Sequence, residues 1–190
     1  MPRGTRLDAP NNLHHVMVRG IEGRFNFRDD RDRDDFIRRL VEAAVAKDLT
    51  IYAWALLPNH LHLLLRTGAP SLARAMRSLL TGYARAFNRR HRRRGHLFQN
   101  RYKSIVVEEE LYLLELVRYI HLNPLRAKIL PELATLDRYP SSSASAPPWA
   151  SRRRPSDKAV ACGRYAAPGK EWRTLLTWSV GIPVLALFPP

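Results

Sequence analysis

Apolar and polar residues alternate well enough through Leu13–Arg19 (LHHVMVR) to predict a first strand. Gly20 and Gly23 punctuate a turn, and Arg24–Phe27 predicts a short second strand. The period changes after the acidic run Asp29–Asp35, whose carboxylates suit the positive end of a helix. Phe36, Ile37, Leu40, Val41 and Ala44 follow at helical spacing and predict a helix over about 32–47. Thr50–Leu57 is apolar and β-rich, Pro58-Asn59 breaks it, and Leu61–Arg66 resumes, so the pair reads as a hairpin. Gly68-Ala69-Pro70 stops the hairpin, and Ser71 caps a second helix over about 72–91. Its stripe is Leu72, Met76, Leu79, Leu80, Tyr83 and Phe87, with Arg74, Arg77 and Arg85 off it.

After the loop HRRRGHLFQNRYKS, Ile105–Val107 predicts a last short strand. Glu108–Glu110 opens a third helix packed through Leu113, Leu114, Leu116, Val117 and Ile120. Another face of that helix carries Tyr112, Glu115, Tyr119 and Asn123, and Pro124 perturbs the helix near Asn123. The order β, β, helix, β, β, helix, β, helix predicts an α+β sandwich, a mainly antiparallel sheet with helices packed on it. From about Tyr139 the apolar period is lost, and the Ser/Pro/Arg-rich stretch that begins 139–190 reads as disordered. The folded domain is therefore expected over 1–138.

Charge narrows the class. Lys and Arg number 32 against 17 Asp and Glu, a net charge of +15. No acidic residue occurs from Leu49 to Val107, while arginines crowd that span. The excess suggests a polyanionic partner, and nucleic acid is the commonest. The one cysteine, Cys162, forms neither an intrachain disulfide nor a CxxC metal site. No apolar run reaches the roughly 18–20 residues of a membrane span, and the start lacks a secretory signal, so a reducing cytoplasm and no membrane are expected.

His60 and His62 stand two apart on a predicted strand, so they share a face while Leu61 points to the other. Two imidazoles so placed can ligate one metal ion; the ordinary alternative is two half-buried strand histidines bonded to neighbours. Tyr119 can serve as a nucleophile toward a phosphodiester, or sit in the core with its hydroxyl satisfied; Tyr112 on the same face is its rival. Asn123, one turn on, offers an amide oxygen suited to a hard ion such as Mg²⁺ or Mn²⁺. His14 and His15 read as sheet residues, and His121 as structural or DNA-facing.

These pieces carry a resemblance. PNHLHLLL matches the HUH motif (His, bulky hydrophobic, His), and YIHLN pairs a tyrosine with a polar residue four later. With HHVMVRG, GHLFQNRYKS and YIHLNPLRA, the chain resembles the IS200/IS605-type single-tyrosine transposases, most of all their REP-associated branch, over roughly residues 10 to 135. The resemblance implies a ferredoxin-like α+β fold, similar to that of RNA-recognition domains. It also implies cleavage and rejoining of single-stranded DNA next to hairpins, through a 5′-phosphotyrosine and with a divalent metal. Tyr119 becomes the nucleophile, His60 and His62 metal ligands, and Asn123 the third ligand. The DNA-contacting set is expected in Arg85, Arg89, Arg92, Arg93, Arg94, Phe98, Arg101, Tyr102 and Lys103, with arginines on phosphates and Phe98 and Tyr102 able to stack on bases. Relatives of this kind act as monomers or as homodimers. The family's usual tryptophan-serine-serine closing segment is here Tyr139-Pro140 followed by serines, without the tryptophan. The competing expectation is a hairpin-binding protein or repressor that keeps the fold and lacks catalysis. A structural zinc protein is disfavoured by the absence of cysteine ligands.

Overall fold

Four strands form one antiparallel sheet: β1 (Leu13–Arg19), β2 (Thr50–Leu56), β3 (His60–Arg66) and β4 (Lys103–Val106), in the spatial order β2-β3-β1-β4. Helices α1 (Asp30–Ala46), α2 (Leu72–Arg90) and α3 (Glu109–Arg126) complete a βαββαβ unit followed by one helix. This is an α+β fold with the ferredoxin-like order that the resemblance implied. The computed structural model describes residues 9–69, 71–107, 109–139 and 142–143. Among the described residues, no helix is long and apolar enough to cross a membrane.

The strand period of two divides the core. Val16, Val18, Leu61, Leu63 and Leu65 face α1 and α2, where they pack with Phe36, Leu40, Met76, Leu79, Tyr83 and Phe87. Leu13, Ala53, Ala55 and Leu64 face the other way, against Leu116 and Ile120 of α3. Phe36 and Tyr83 are fully buried, and burial of side chains this large contributes about 1.5–3 kcal/mol each. Asp29 caps α1 by accepting from the Asp32 N–H at 2.9 Å, and Ser71 caps α2.

Two expectations need correction. Arg24–Phe27 is not a strand. Ile21–Gly23 is a 3-10 turn, and the residues after it clamp the β2–β3 turn. The N–H groups of Asn26 and Phe27 both donate to the Pro58 carbonyl, at 2.6 and 3.2 Å, and Phe27 plugs the core against Phe36 and Tyr83. With both groups turned inward, no ladder is left for a partner strand. Gly20 is required here: a Cβ would lie 2.0 Å from the Arg24 carbonyl oxygen. Leu114 does not pack; it is 62% exposed, because it lies about 100° around the helix from Leu113 and off the stripe of Leu113, Leu116, Val117 and Ile120.

The third helix runs through Pro124 to Arg126, so the proline removes the N–H that would otherwise bond the Ile120 carbonyl, one hydrogen bond near the helix end. The serine segment reaches back to the sheet: Tyr139 donates its hydroxyl to the Leu56 carbonyl, and Ser143 N–H donates to the Trp54 carbonyl. Most of 139–190, where disorder was expected, lies outside the described residues.

Candidate active site

The face of the sheet that meets α3 gathers the histidines. His60 and His62 alternate with Leu61, which is buried in the core on the opposite face. The two imidazoles stand perpendicular with centroids 5.3 Å apart. The Tyr119 ring on α3 meets His62 edge-on at 5.8 Å. The sequence-predicted nucleophile and histidine pair are therefore neighbours, although 57 residues separate His62 from Tyr119 in the chain.

His15 joins them. It is paired across the sheet with Leu64, on the α3 face, and its Nε2 lies 3.0 Å from Nδ1 of His62. The rings stack at 5.2 Å, and Tyr119 meets His15 at 6.1 Å. His14, one residue back, points to the other face and bonds Ser104 of β4, as a sheet residue should. The strand period could place His15 on a face, but only the β1–β3 register shows that the face belongs to His62.

Burial sets the protonation of this group. His15 is pushed down to about 4, by desolvation first and by the Lys103 charge second. His62 is held well below the usual imidazole range by burial, then by its histidine neighbours, and His60 is lowered by burial and by Arg19. All three are neutral at pH 7, the form a metal requires.

The pair fits a divalent ion. A metal–nitrogen bond of about 2.1 Å places each ring centroid about 3.2 Å from a shared ion, and a 90–110° angle then separates the centroids by roughly 4.5–5.2 Å. The observed 5.3 Å lies just above that range. Nδ1 of His60 is bonded to the Asn59 amide oxygen at 2.7 Å, and Nδ1 of His62 to His15, so Nε2 is the atom each ring has left. Asn123, buried one turn after Tyr119, donates its amide N–H to the Tyr119 carbonyl at 3.0 Å. That bond ties the nitrogen and leaves Oδ1 as the atom that could reach an ion.

Among the described residues, cations stand close to this group. Arg19 pairs across the sheet with His60, and Lys103 with Met17, whose other partner is His62. The Arg126 guanidinium lies 5.2 Å from the centroid of the Tyr119 ring. Neither Arg19 nor Arg126 was singled out by the sequence, since a strand register and a seven-residue helix spacing are needed to see them. His121, by contrast, faces away: its Nε2 lies 2.8 Å from Ser143 Oγ, and burial lowers it to about 4. The Tyr112 side chain lies outside what is described.

The arginine set falls elsewhere. Arg85, Arg89, Arg92, Arg94 and Arg101 are exposed on α2 and the loop after it, while Arg93 lies over Phe87. A groove of about 610 Å³ between α2 and residues 95–102 is bordered by Arg77, Arg85, Arg101, His96 and Phe98. Tyr102 also borders it but is only 7% exposed and belongs to the α1/α2 core, so of the two readings open to it, packed or stacking on a base, the structure shows the packed one. Phe98 is half-buried, stacked on Tyr83. The loop joins the active face at one end of β1: Gln99 N–H donates to the Arg19 carbonyl, and Phe98 bridges Gly20.

A second cluster, Asp29, Asp32 and His91, brings its ligand-type atoms within 4.8 Å. We read it as an ion-pair network. The fully buried Asp32 carboxylate already accepts from Arg28 N–H, from Arg90 and from His91, and the Arg90 charge opposes a metal there.

Comparison with known proteins finds a family match and structural relatives. Residues 10–123 match the family described as Transposase IS200-like. A REP-associated tyrosine transposase, solved bound to a REP hairpin, shares the fold with a TM-score of 0.64 at 16% identity, covering 75% of this chain and 82% of that one. A candidate transposase of Deinococcus radiodurans R1 is 20% identical over 68% of this chain and 92% of its own, with a TM-score of 0.44. No curated protein matches.

Proposed function

Because the chain belongs to the IS200-like transposase family, which matches it over residues 10–123, we propose that it cuts and rejoins single-stranded DNA beside hairpins. In this reading Tyr119 is the nucleophile, and His60, His62 and Asn123 hold a divalent ion, Mg²⁺ or Mn²⁺. The observation that carries the reading is the Tyr119 ring set 5.8 Å from His62, beside a histidine pair spaced for one ion.

The Tyr119 phenol oxygen attacks the scissile phosphorus. The new O–P bond forms as the bond to the 3′ oxygen breaks. The phenol proton passes to solvent, and the departing oxygen takes one up as a 3′-hydroxyl. The product is a 5′-phosphotyrosine, which keeps the diester energy, so a 3′-hydroxyl can reverse the step and join a strand. A bound divalent ion would polarise a non-bridging phosphate oxygen.

The chain's own residues supply the rest. Helix α3 orients Tyr119 through its packing on the sheet, and Arg126 keeps a fixed positive charge beside the nucleophile as the phosphate gains negative charge. The groove arginines suit a hairpin backbone, and Phe98 and Gln99 lead from that groove to Arg19 beside His60. A REP-like hairpin is the favoured substrate, in keeping with the partner of the structural relative.

The test is a covalent-adduct assay on single-stranded hairpins with Mn²⁺. Wild type should give a band that resists denaturant, and EDTA, His60→Ala and Tyr119→Phe should each remove it. Hairpin binding without any adduct across a panel of palindromes from its own genome would favour the non-catalytic binder.

A further inference from the structure

Each of the two proposed ligand histidines is held at Nδ1 by a residue with no assigned role. His60 Nδ1 lies 2.7 Å from Asn59 Oδ1, and His62 Nδ1 lies 3.0 Å from His15 Nε2. We infer that Asn59 and His15 are positioning residues that hold both imidazoles in the Nδ1–H tautomer, so that both Nε2 lone pairs are presented together.

For His60 the direction is fixed by chemistry. An amide oxygen only accepts, so Nδ1 carries the proton and Nε2 the lone pair. The main chain of Asn59 is itself held. Its backbone carbonyl accepts from Gly20 N–H at 2.8 Å and from the Asn26 side chain at 3.2 Å, while the preceding Pro58 carbonyl takes two more N–H groups. The clamp formed by Gly20, Asn26 and Phe27 therefore fixes the turn from which Asn59 reaches His60. For His62, His15 covers Nδ1 on a 1%-exposed strand position, so Nε2 is the atom that can face an ion. A ligand nitrogen must be unprotonated, so the proton sits on His62 Nδ1 and His15 Nε2 accepts it. In water the neutral imidazole has no such obligation, and a ring with Nε2–H must change tautomer before it can bind through that atom.

The inference rests on the metal reading above, and the experiment separates the two. Long-range ¹H–¹⁵N spectra of histidine-labelled metal-free protein report each tautomer directly. Wild type should show Nδ1–H on both His60 and His62. Asn59→Leu should return His60 to a mixture, and Asn59→Asp should keep Nδ1–H. His15→Phe should release His62, and His15→Gln, whose amide oxygen still accepts, should hold it. Mn²⁺ affinity, followed by the free-ion electron-paramagnetic-resonance signal, should fall about 10–100-fold in Asn59→Leu and His15→Phe and recover in Asn59→Asp and His15→Gln. Nε2–H on either ring in wild type overturns the inference without needing any variant to fold. So does loss of Mn²⁺ binding in His15→Gln with the His62 tautomer intact, which would make His15 a ligand. Correct tautomers and correct responses to the substitutions, with no Mn²⁺ binding, would instead overturn the metal reading and leave the positioning contacts standing.

Discussion

Replacing Asp32 by asparagine tests how the two helices of the basic side are held together. Asp32 sits in the first turn of α1 with no exposed surface, and its carboxylate accepts from Arg28 N–H at 3.0 Å, from Arg90 and from His91 at 2.8 Å. Arg90 and His91 end α2, so this one carboxylate joins the start of α1 to the end of α2. Asparagine keeps the shape but removes the charge and aims an N–H₂ at two donors. Breaking a buried pair costs about 3–5 kcal/mol, but the Arg90 side chain is 37% exposed and regains water, so a smaller loss of about 2–3 kcal/mol applies. At about 3 °C per kcal/mol for a domain of this size, the melting temperature should fall by about 6–9 °C. Scanning calorimetry or circular dichroism reads it, in EDTA and in excess Mn²⁺. If the cluster with Asp29 and His91 were instead a metal site, EDTA would lower the wild-type melting temperature and Mn²⁺ would raise it. A variant that melts within 1 °C of wild type, or a melting temperature set by the metal, refutes the ion-pair account.

Arg126→Ala should slow adduct formation by about 10–100-fold while hairpin affinity stays within about threefold, measured by gel shift beside the adduct assay, because its charge lies at the nucleophile and off the groove. Arg85→Ala and Arg89→Ala should each lower the slope of log affinity against log salt by about 1, if each contacts one phosphate. Gly20→Ala should destabilise the fold and loosen the β2–β3 turn, read as a lower melting temperature and faster amide exchange at Asn26 and Phe27, since the added Cβ meets the Arg24 carbonyl. Acid should destabilise the fold through His15 and His121, each depressed to about 4. Above pH 6.5 neither state binds the proton and stability is complete. As pH falls from 6.5 toward 4, the unfolded chain takes it and the folded one resists, at a cost of up to about 3 kcal/mol per histidine. Denaturant titrations should show a shallower loss over that window in His121→Gln.

The alternation of His60, Leu61 and His62 is a local property, and the strand period alone was enough to put both imidazoles on one face. The helices over α1 and α2 were equally legible, because their apolar stripes and the caps Asp29 and Ser71 lie within a few residues of each other. What stayed hidden depends on register and on contacts between distant segments. His15 looked like any strand histidine until β1 was laid beside β3. Asn59 read as a turn residue because its carboxamide role depends on the rotamer of the next side chain. Arg24–Phe27 has the residue types of a short strand, yet its N–H groups serve the Pro58 carbonyl. Tyr102 sits in a basic loop by sequence and in the core by packing.

The central claim is that Tyr119 carries the DNA, and tryptic mapping of the covalent adduct tests it most directly. Cleavage after Arg118 and Arg126 places Tyr119 in the peptide YIHLNPLR, apart from Tyr112, which lies upstream of Arg118. Mass spectrometry of nuclease-trimmed adduct should find the residual nucleotide on YIHLNPLR, attached to the tyrosine. A nucleotide on the peptide that holds Tyr112, or on any other residue, would contradict the account.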